Sequence, residues 1–265
     1  MPPRIVIKLG GGLITDKGKM KTFDEGRMEN LAKAISNVAD LGFAIVLVHG
    51  AGSFGHLIAK KWDIAGGLES SISEEQGKAV NMIRSDMREL SNLVASKLEM
   101  EGLYSESFPP SKWAEGTGIE FKGELGMFER SVDQPIPITF GDVVETGNEK
   151  QFGILSGDDL MLRISKDLPS VTHAIFLIGD AAGVMSAPPG EEGAELIEQW
   201  SSKSQAKAKH HEEIDVTGGI SLKIERATMI SECVDNVWII DGRKPERILE
   251  LIEHGETRGT RIVYG

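Results

Sequence analysis

Short runs of apolar, often β-branched residues alternate along the chain with longer segments in which apolar residues recur every three or four positions. Strands that each lead into a helix predict a mostly parallel sheet covered by helices on both faces. The predicted strands are Arg4–Leu9, Phe43–Val48, Pro135–Thr139, Phe152–Leu155, Thr172–Ile178 and Asn236–Ile240. The predicted helices are Asp24–Leu41, Ser73–Met100, Gly157–Leu168, Gly219–Cys233 and Pro245–His254.

Two segments interrupt this alternation. Gly116–Asp133 and Glu145–Gln151 are rich in glycine and charged residues, which suits hairpins that border a cleft. Ala187–Gly193 is predicted to be a loop that leads into a short basic helix, Ser201–His211. No repeat or low-complexity linker divides the 265 residues, so we predict a single α/β domain, 1–265.

Composition narrows the class of protein. Apolar residues make up 40% of the chain and charged residues 26%, and the net charge is −12 with no basic tail. Non-specific binding of nucleic acid needs a concentrated positive face, so nucleic acid is not expected as a partner. No apolar run is long enough for a membrane span or a signal peptide, which predicts a cytoplasmic protein. The lone cysteine, Cys233, is expected to be a small core residue.

The first motif that suggests chemistry follows the first strand. Lys8 stands near the end of that strand, and Gly10, Gly11 and Gly12 come directly after it. A buried ammonium group needs a counter-charge, and glycine backbone can approach a phosphate closely and bind it with its N–H groups. The spacing differs from that of a P-loop. A tight turn with an ordinary lysine is the alternative.

The second motif, His49–His56, follows a strand and opens a probable helix. Its glycines fit G-x-G-x-x-G, but the acidic residues at the distance that a dinucleotide site requires fall in a loop and a helix start. The interpretation that remains is an anion site at a helix N-terminus, with His56 one turn inside. A purely structural histidine is the alternative.

Two further glycine-rich turns lead into helices. Ser156-Gly157 precedes Asp158 and Asp159, which either serve as helix-terminal acids or order lysines or a Mg²⁺ shell. Gly219 opens the next such helix, and Lys223 lies one turn inside it, where it is either phosphate-directed or simply solvated. Together these turns predict a site that holds several phosphates, which is what phosphoryl transfer chiefly needs.

With the segments KLGGGLITDKG, HGAGSFGH, PITFGDV, FGILSGDD and DVTGGISLK, the chain resembles the amino-acid-kinase family. HGAGSFGH, ITDK and SGDD resemble its isopentenyl phosphate kinase branch. The resemblance implies a three-layer αβα sandwich and a homodimer, with residues 1–168 binding the acceptor and 169–265 the nucleotide. It also implies that ATP and Mg²⁺ convert isopentenyl phosphate to isopentenyl diphosphate.

The resemblance assigns roles to individual residues. Lys8 and the turn Gly10–Gly12 would hold the transferred phosphate, and Lys17 would stabilise the transition state. The backbone of the acceptor-phosphate site would come from Ala51, Gly153 and Gly52, the last also facing the transferred phosphate, and His56 would donate a hydrogen bond. Gly219 and Lys223 would bind the nucleotide phosphates, with Asp180 near the nucleotide. No side chain is assigned as a metal ligand.

Several positions depart from the family pattern. Ala51 replaces a frequent glycine, and Ala182, Met185 and Leu222 alter the segments expected to surround the nucleotide. The altered nucleotide segments leave a non-catalytic nucleotide sensor as one alternative. A kinase of another small acceptor, such as an alkyl phosphate, a carboxylate or fosfomycin, is the other.

The acceptor's tail is predicted from an apolar stripe on the long helix. Val80 and Ile83 lie on this stripe, and together with Ile154 they are expected to form a short pocket sized for about five carbons. Most of the stripe must be core, so a purely structural stripe is the alternative.

Overall fold

The computed structural model describes residues 2–16, 18–201 and 219–265. Its strands, β1 to β12 in chain order, are Arg4–Leu9, Ala44–His49, Ser105–Ser107, Ala114–Glu115, Lys122–Gly123, Ile136–Phe140, Asp142–Glu145, Phe152–Leu155, Val171–Ile178, Gln199–Ser201, Asn236–Asp241 and Gly259–Val263. The α-helices, α1 to α7, are Gly11–Ile14, Glu25–Asp40, Gly52–Lys61, Ser73–Met100, Gly157–Asp167, Gly219–Ile230 and Glu246–His254.

Eight strands form the central sheet, in the order β10-β12-β11-β9-β1-β2-β6-β3. Every neighbouring pair is parallel except β11 and β12, which are antiparallel. The prediction of a mostly parallel sheet is therefore confirmed. Three strands of this sheet were not predicted, namely β10 and β12 on one side and β3 at the opposite edge.

The alternation of side chains along β1 explains the three layers. Ile5, Ile7 and Leu9 point to one face, where they pack with residues of α2, α4 and α7, whereas Val6 points to the other face and the core beneath α5 and α6. Successive side chains of a strand face opposite sides, so a strand buried on both faces is apolar throughout. The αβα sandwich is confirmed.

A second, four-stranded sheet has the order β5-β4-β7-β8. It contains the hairpin β7–β8, in which Val143 lies opposite Ile154, and the short antiparallel pair β4–β5. Of the two segments from which hairpins were predicted, Glu145–Gln151 forms the turn between β7 and β8, and Gly116–Asp133 begins after β4 and contains β5. Arg84 connects α4 to this sheet, because its Nε donates to the carbonyl of Val143 at 2.8 Å.

The sequence prediction is wrong for Cys233. Helix α6 ends at Ile230, and Cys233 follows in an exposed turn, where its thiol lies 3.4 Å from the carbonyl oxygen of Ile230. The predicted loop Ala187–Gly193 is a loop. Of the predicted basic helix, Ser201 ends β10 and the remaining positions lie outside the described residues. Within the described ranges, no helix is both long enough and apolar enough to cross a membrane.

Candidate active site

A cleft of about 540 Å³ opens at the carboxyl ends of β1, β2 and β9, between the central sheet and the hairpin β7–β8. Ligands of open α/β sheets bind at this edge. The glycine-rich turns after β1 and β2, the start of α5 and the start of α6 all line this cleft. The fold thus brings together segments that are far apart in the sequence.

The floor of the cleft is made of backbone in close contact. A Cβ atom on Gly11 would lie 2.2 Å from the backbone nitrogen of Gly52, and one on Gly50 would lie 2.6 Å from the nitrogen of Gly11. Gly52 has φ +50°, in the left-handed region that favours glycine. Glycine is therefore required at the junction where the turn after β1 meets the start of α3.

Hydroxyl groups hold the next turn of chain to α3. Thr15 Oγ1 donates to the carbonyl of Gly11 at 2.7 Å and accepts from the N–H of Ser53 at 3.0 Å. Ser53 Oγ in turn accepts from the N–H of Thr22 at 3.2 Å. These bonds anchor both ends of the short loop that carries Lys17, which itself lies outside the described residues.

Two lysines share one carboxylate on the wall of the cleft. Lys8 Nζ lies 2.5 Å from Asp158 Oδ1, and Lys223 Nζ lies 3.0 Å from the same oxygen. All three side chains are buried and line the cleft. Asp158 is held in turn by the helix start, since its N–H donates to the capping Ser156 Oγ at 3.1 Å.

The electrostatics of this cluster favour an anionic ligand. Burial lowers the pKa of Lys8 to about 7, and the neighbouring ammonium of Lys223 adds to the decrease while Asp158 opposes it. Burial alone would raise the pKa of Asp158, but Lys8 and Lys223 outweigh it and lower that pKa to about 2. With both lysines protonated, two cations face one anion, and the surplus positive charge suits a phosphate.

A second buried ion pair lies beside the cluster. Arg226 Nε donates to Asp159 Oδ1 at 2.7 Å, and both side chains are buried. Asp159 follows Asp158 on α5, and Arg226 lies one turn beyond Lys223 on α6. The two helices are therefore joined by two adjacent charged contacts.

The opposite end of the cleft is apolar. It is lined by Ala59 of α3, Ile83 of α4, Val143 of β7 and Ile154 of β8. His56, one turn into α3, is exposed and lies on the cleft wall. The cleft thus runs from a cationic, glycine-rich end to an apolar end.

Most of the residues predicted from the sequence line this one cleft. Among them are Lys8, Gly10, Gly11, Gly12, Ala51, His56, Ile83, Ile154, Asp180, Gly219 and Lys223.

Three of the residues predicted from the sequence do not line the cleft. Val80 packs in the core on the same stripe of α4 as Ile83. Gly52 is buried behind the wall against Gly11. Gly153 pairs with Val144 inside the small sheet, and Gly157 occupies the wall instead, close to the Lys8 side chain.

The segment that follows β9 also lines the cleft, through Asp180, Val184, Met185, Pro188 and Pro189. Of the departures from the family pattern, Ala51, Met185 and Leu222 line the cleft, whereas Ala182 does not; Met185 and Leu222 belong to the segments expected near the nucleotide. Both lining side chains are apolar, so they extend an apolar wall and leave Lys223 in place.

Sequence reasoning missed several residues of the site. Gly157 and Val143 line the cleft, and Asp142 lies there with its carboxylate bound to the N–H groups of Ser111 and Val143. Burial raises the pKa of Asp142. Arg226 was also missed, although its i,i+3 spacing from Lys223 was a usable signal, since such residues share a helix face.

Within the part of the chain that the structure describes, no group of three or more His, Cys, Asp or Glu side chains could hold a metal ion. Mg²⁺ in phosphate-transferring sites is held largely by the substrate's phosphates and water, with few protein ligands. An ion held in that way would not need such a group of side chains.

Known proteins resemble this chain over nearly its whole length. The model of the amino acid kinase family matches residues 3–241. Isopentenyl phosphate kinase of Thermoplasma acidophilum is 29% identical over 247 residues, covering 92% of this chain and 94% of the relative. An X-ray structure of isopentenyl phosphate kinase superposes with a TM-score of 0.82 at 25% identity, covering 98% of this chain and 100% of that one.

A substrate complex of isopentenyl phosphate kinase gives a TM-score of 0.80 at 27% identity, covering 98% of this chain and 99% of that one. The fold, the ordered glycine-rich turns and the family match agree. The chain belongs to the amino acid kinase family.

Proposed function

We propose that this protein is an isopentenyl phosphate kinase, which transfers the terminal phosphoryl group of ATP directly to isopentenyl phosphate. One observation carries the proposal. A single cleft joins the Lys8–Asp158–Lys223 cluster, suited to phosphates, to an apolar end formed by Ile83, Val143 and Ile154. The named relatives support the same assignment.

The shape and polarity of the cleft support an acceptor with a phosphate head and a short hydrocarbon tail. A carboxylate acceptor such as glutamate would need polar partners for its amino and carboxyl groups at the end where Ile83, Val143 and Ile154 lie. A phosphate monoester with a branched tail places its charge at the lysines and its apolar atoms against these side chains.

The chemistry needs little beyond positioning and charge neutralisation. A phosphate monoester is largely dianionic at neutral pH, because its second pKa is about 6, and is already a nucleophile. The obstacle is the repulsion between two anionic substrates, which Lys8, Lys223 and the backbone N–H groups of the glycine turns would lower. His56 would donate a hydrogen bond to the acceptor phosphate, and Lys17 would stabilise the transferred group. No covalent phosphoenzyme is involved.

The nucleotide phosphates would lie on the turn Gly10–Gly12, Lys8 and the start of α6, with Gly219 and Lys223 nearest and Asp180 beside the nucleotide. Mg²⁺ would accompany ATP and neutralise its phosphates. The Lys8–Asp158–Lys223 cluster would hold the phosphate end of that complex in place. We also propose, from the family resemblance, that the protein is a cytoplasmic homodimer.

Phosphorus NMR tests the assignment. The protein is incubated with Mg-ATP and, in separate samples, isopentenyl phosphate, other alkyl phosphates, fosfomycin and glutamate. We expect ADP and a new diphosphate signal with isopentenyl phosphate, at a rate well above that of the other acceptors. A preference for fosfomycin or glutamate would contradict the proposal, and so would ATP binding without turnover of any acceptor, which is the behaviour of a nucleotide sensor.

Two variants control this experiment. Lys223→Ala removes a cation of the phosphate cluster, and Lys112→Ala removes a lysine that does not line the cleft. The first should lower turnover by about tenfold or more and the second should leave it unchanged. Equal activity of the two variants would mean that the observed reaction does not take place in this cleft.

A further inference from the structure

The placement of Lys223 depends on a helix that apolar contacts alone would hold loosely. Helix α6 is buried through Ile224, Ala227 and Ile230, which pack in the core shared with α5. Hydrophobic burial is non-directional, so such a contact permits small shifts of the helix along or around its axis. An ammonium group that neutralises a transferred phosphate has to be placed more closely than that.

The ion pair between Asp159 and Arg226 supplies the direction that apolar packing lacks. On α6, Arg226 lies one helical turn beyond Lys223. The Arg226–Asp159 pair has an N–O distance of 2.7 Å, and the Lys223–Asp158 pair has one of 3.0 Å. Two charged contacts on successive turns fix both the rotation and the axial position of α6 against α5. A buried ion pair is often stability-neutral, and its best-attested use is to specify one register.

Charge balance gives a second reason for the pair. Asp159 follows Asp158 at the start of α5, and its side chain is only 5% exposed, so little water screens its carboxylate. Without Arg226 it would be an uncompensated anion beside a cluster meant to attract phosphates. Arg226 also contacts Glu225, whose side chain is 57% exposed and therefore contributes little.

We propose that Asp159 and Arg226 are positioning residues, which hold Lys223 in register with Asp158 and so place its ammonium group for the nucleotide's outer phosphates. This inference rests on the function proposed above. The pair itself touches no substrate. Its effect reaches the reaction through α6 and Lys223.

The test compares the affinities for ATP and AMP, measured by isothermal titration calorimetry without acceptor, in the intact protein and in Arg226→Gln, Asp159→Asn and the double variant. Lys223→Ala serves as the reference for a lost phosphate contact. The matched control is Asp167→Asn, which breaks the Arg163–Asp167 pair on the outer face of the same helix α5.

Each single variant should weaken ATP binding by about fivefold or more while AMP affinity stays within about twofold, as in Lys223→Ala, because only ATP reaches the outer phosphates. The double variant should be no worse than the worse single variant, since it removes both charges together. Arg226→Lys, which keeps the charge, should restore part of the ATP affinity. Asp167→Asn should change neither affinity.

A merely structural pair gives a different result. Variants that lose thermal stability but keep the wild-type ratio of ATP to AMP affinity overturn the proposal, and so do fully additive losses in the double variant. If Arg226→Gln does not fold, Asp159→Glu gives the same readout, because it keeps the charge and shifts the contact by one methylene.

Because the binding experiment contains no acceptor, its result is independent of the acceptor that the protein uses, and the two proposals can fail separately. A chain that binds ATP in the expected pattern but does not phosphorylate isopentenyl phosphate leaves the positioning role standing and removes the proposed function. A chain that does not bind ATP overturns both.

Discussion

At the scale of single residues, the most informative feature is the carboxylate of Asp158 between two buried ammonium groups. Such an arrangement is stable only while the carboxylate is ionised, because each lysine has lost its hydration to burial. The same carboxylate fixes both lysines relative to the start of α5. Positioning of the cations and stability of the fold therefore depend on one side chain.

Removal of that charge should be costly. We expect Asp158→Asn to lower the free energy of unfolding at pH 7 by about 3 kcal/mol, because it leaves two buried cations with no counter-ion. Asp167→Asn, which breaks the more exposed pair with Arg163, should lower it by less than about 1 kcal/mol. Urea denaturation measures both, and equal effects would mean that the cluster contributes no more than a surface pair.

The same residue predicts a dependence on pH. The pKa of Asp158 is about 2 in the folded chain, below its ordinary value of 3.8, so its contribution to stability is present above pH 4 and is lost as the pH falls towards 2. The difference in stability between the wild type and Asp158→Asn should shrink over that interval. A difference that stays constant from pH 5 to pH 2 would contradict the assignment.

Lys8 predicts the alkaline side of the rate profile. Its pKa is lowered to about 7, so in the free enzyme the ammonium group is lost as the pH rises through that value. Because the acceptor phosphate becomes dianionic above about pH 6, kcat/KM should rise through pH 6 and fall on the alkaline side. A profile that continues to rise to pH 10 would show that the charge of Lys8 is not needed.

At the scale of elements, the junction between α1 and α3 shows how closely two pieces of backbone can be required to approach. Gly11 and Gly52 meet at distances that exclude any side chain. The turn after β1 and the N-terminus of α3 are thereby held as one floor. The glycines matter for contact here, in addition to any phosphate they bind.

We therefore expect Gly11→Ala to impair both folding and turnover, with a loss of stability of about 1–3 kcal/mol or more, as overpacking causes in a rigid core. The control is Gly26→Ala in the first turn of α2, where an added Cβ meets nothing within 4 Å. That change should be neutral or stabilising by up to about 1 kcal/mol. Thermal melts and activity assays distinguish the two, and a wild-type-like Gly11→Ala would refute the contact.

The apolar end of the cleft gives a prediction about acceptor length. Ile83→Ala and Ile154→Ala should raise the ratio of catalytic efficiencies for geranyl phosphate over isopentenyl phosphate, because they deepen the pocket. Val80→Ala is the matched control, since Val80 lies on the same stripe of α4 but packs in the core. It should lower stability by about 1–3 kcal/mol without changing that ratio. An equal change of the ratio in all three variants would mean that it reflects loosened packing.

Local pattern predicted the elements well and their long-range partners less well. The strand Arg4–Leu9 and the helix Ser73–Met100 were predicted with the observed bounds, because hydrophobic periodicity is a property of the segment itself. Strands β3, β10 and β12 were missed, since β3 and β10 have only three residues and the pairing of all three depends on distant parts of the chain. Cys233 was expected in the core on composition alone, but α6 ends before it.

The same division holds for the site. The glycine turns and their lysines were visible in the sequence because each motif is contiguous. Gly153 was assigned to the wall that Gly157 occupies, since sequence alone does not show where β8 leaves the small sheet. The Asp159–Arg226 contact joins residues 67 positions apart, and a local sequence pattern cannot predict which distant residue pairs with which.

At the scale of the whole molecule, the two predicted lobes share one sheet. Strands β1 and β2, from residues 1–168, are hydrogen-bonded in a row with β9 and β11, from residues 169–265. The cleft draws Lys8 from the first part and Lys223 from the second. We therefore expect one cooperative unit with no independent folding of the two parts.

The tryptophans provide the measurement. Trp62 and Trp113 lie in the first part, and Trp200 and Trp238 in the second. Variants that keep only one pair, with phenylalanine in place of the other, should each show a fluorescence transition in urea that coincides with the transition in circular dichroism of the same variant. Fluorescence midpoints that separate from those of circular dichroism would indicate two folding units.

The two sheets contribute different parts of the proposed site, and this affects how its acceptor specificity could change. Lys8 lies on β1 of the eight-stranded sheet, whereas Val143 and Ile154, which are proposed to contact the acceptor's far end, belong to the small four-stranded sheet. Because β8 leads directly into the start of α5, we expect Lys8, Asp158 and Lys223 to stay in place only when substitutions of Val143 and Ile154 preserve the backbone of the hairpin. On the proposed function, we therefore expect substitutions of these two side chains to change which acceptors fit, while the donor side of the cleft stays the same.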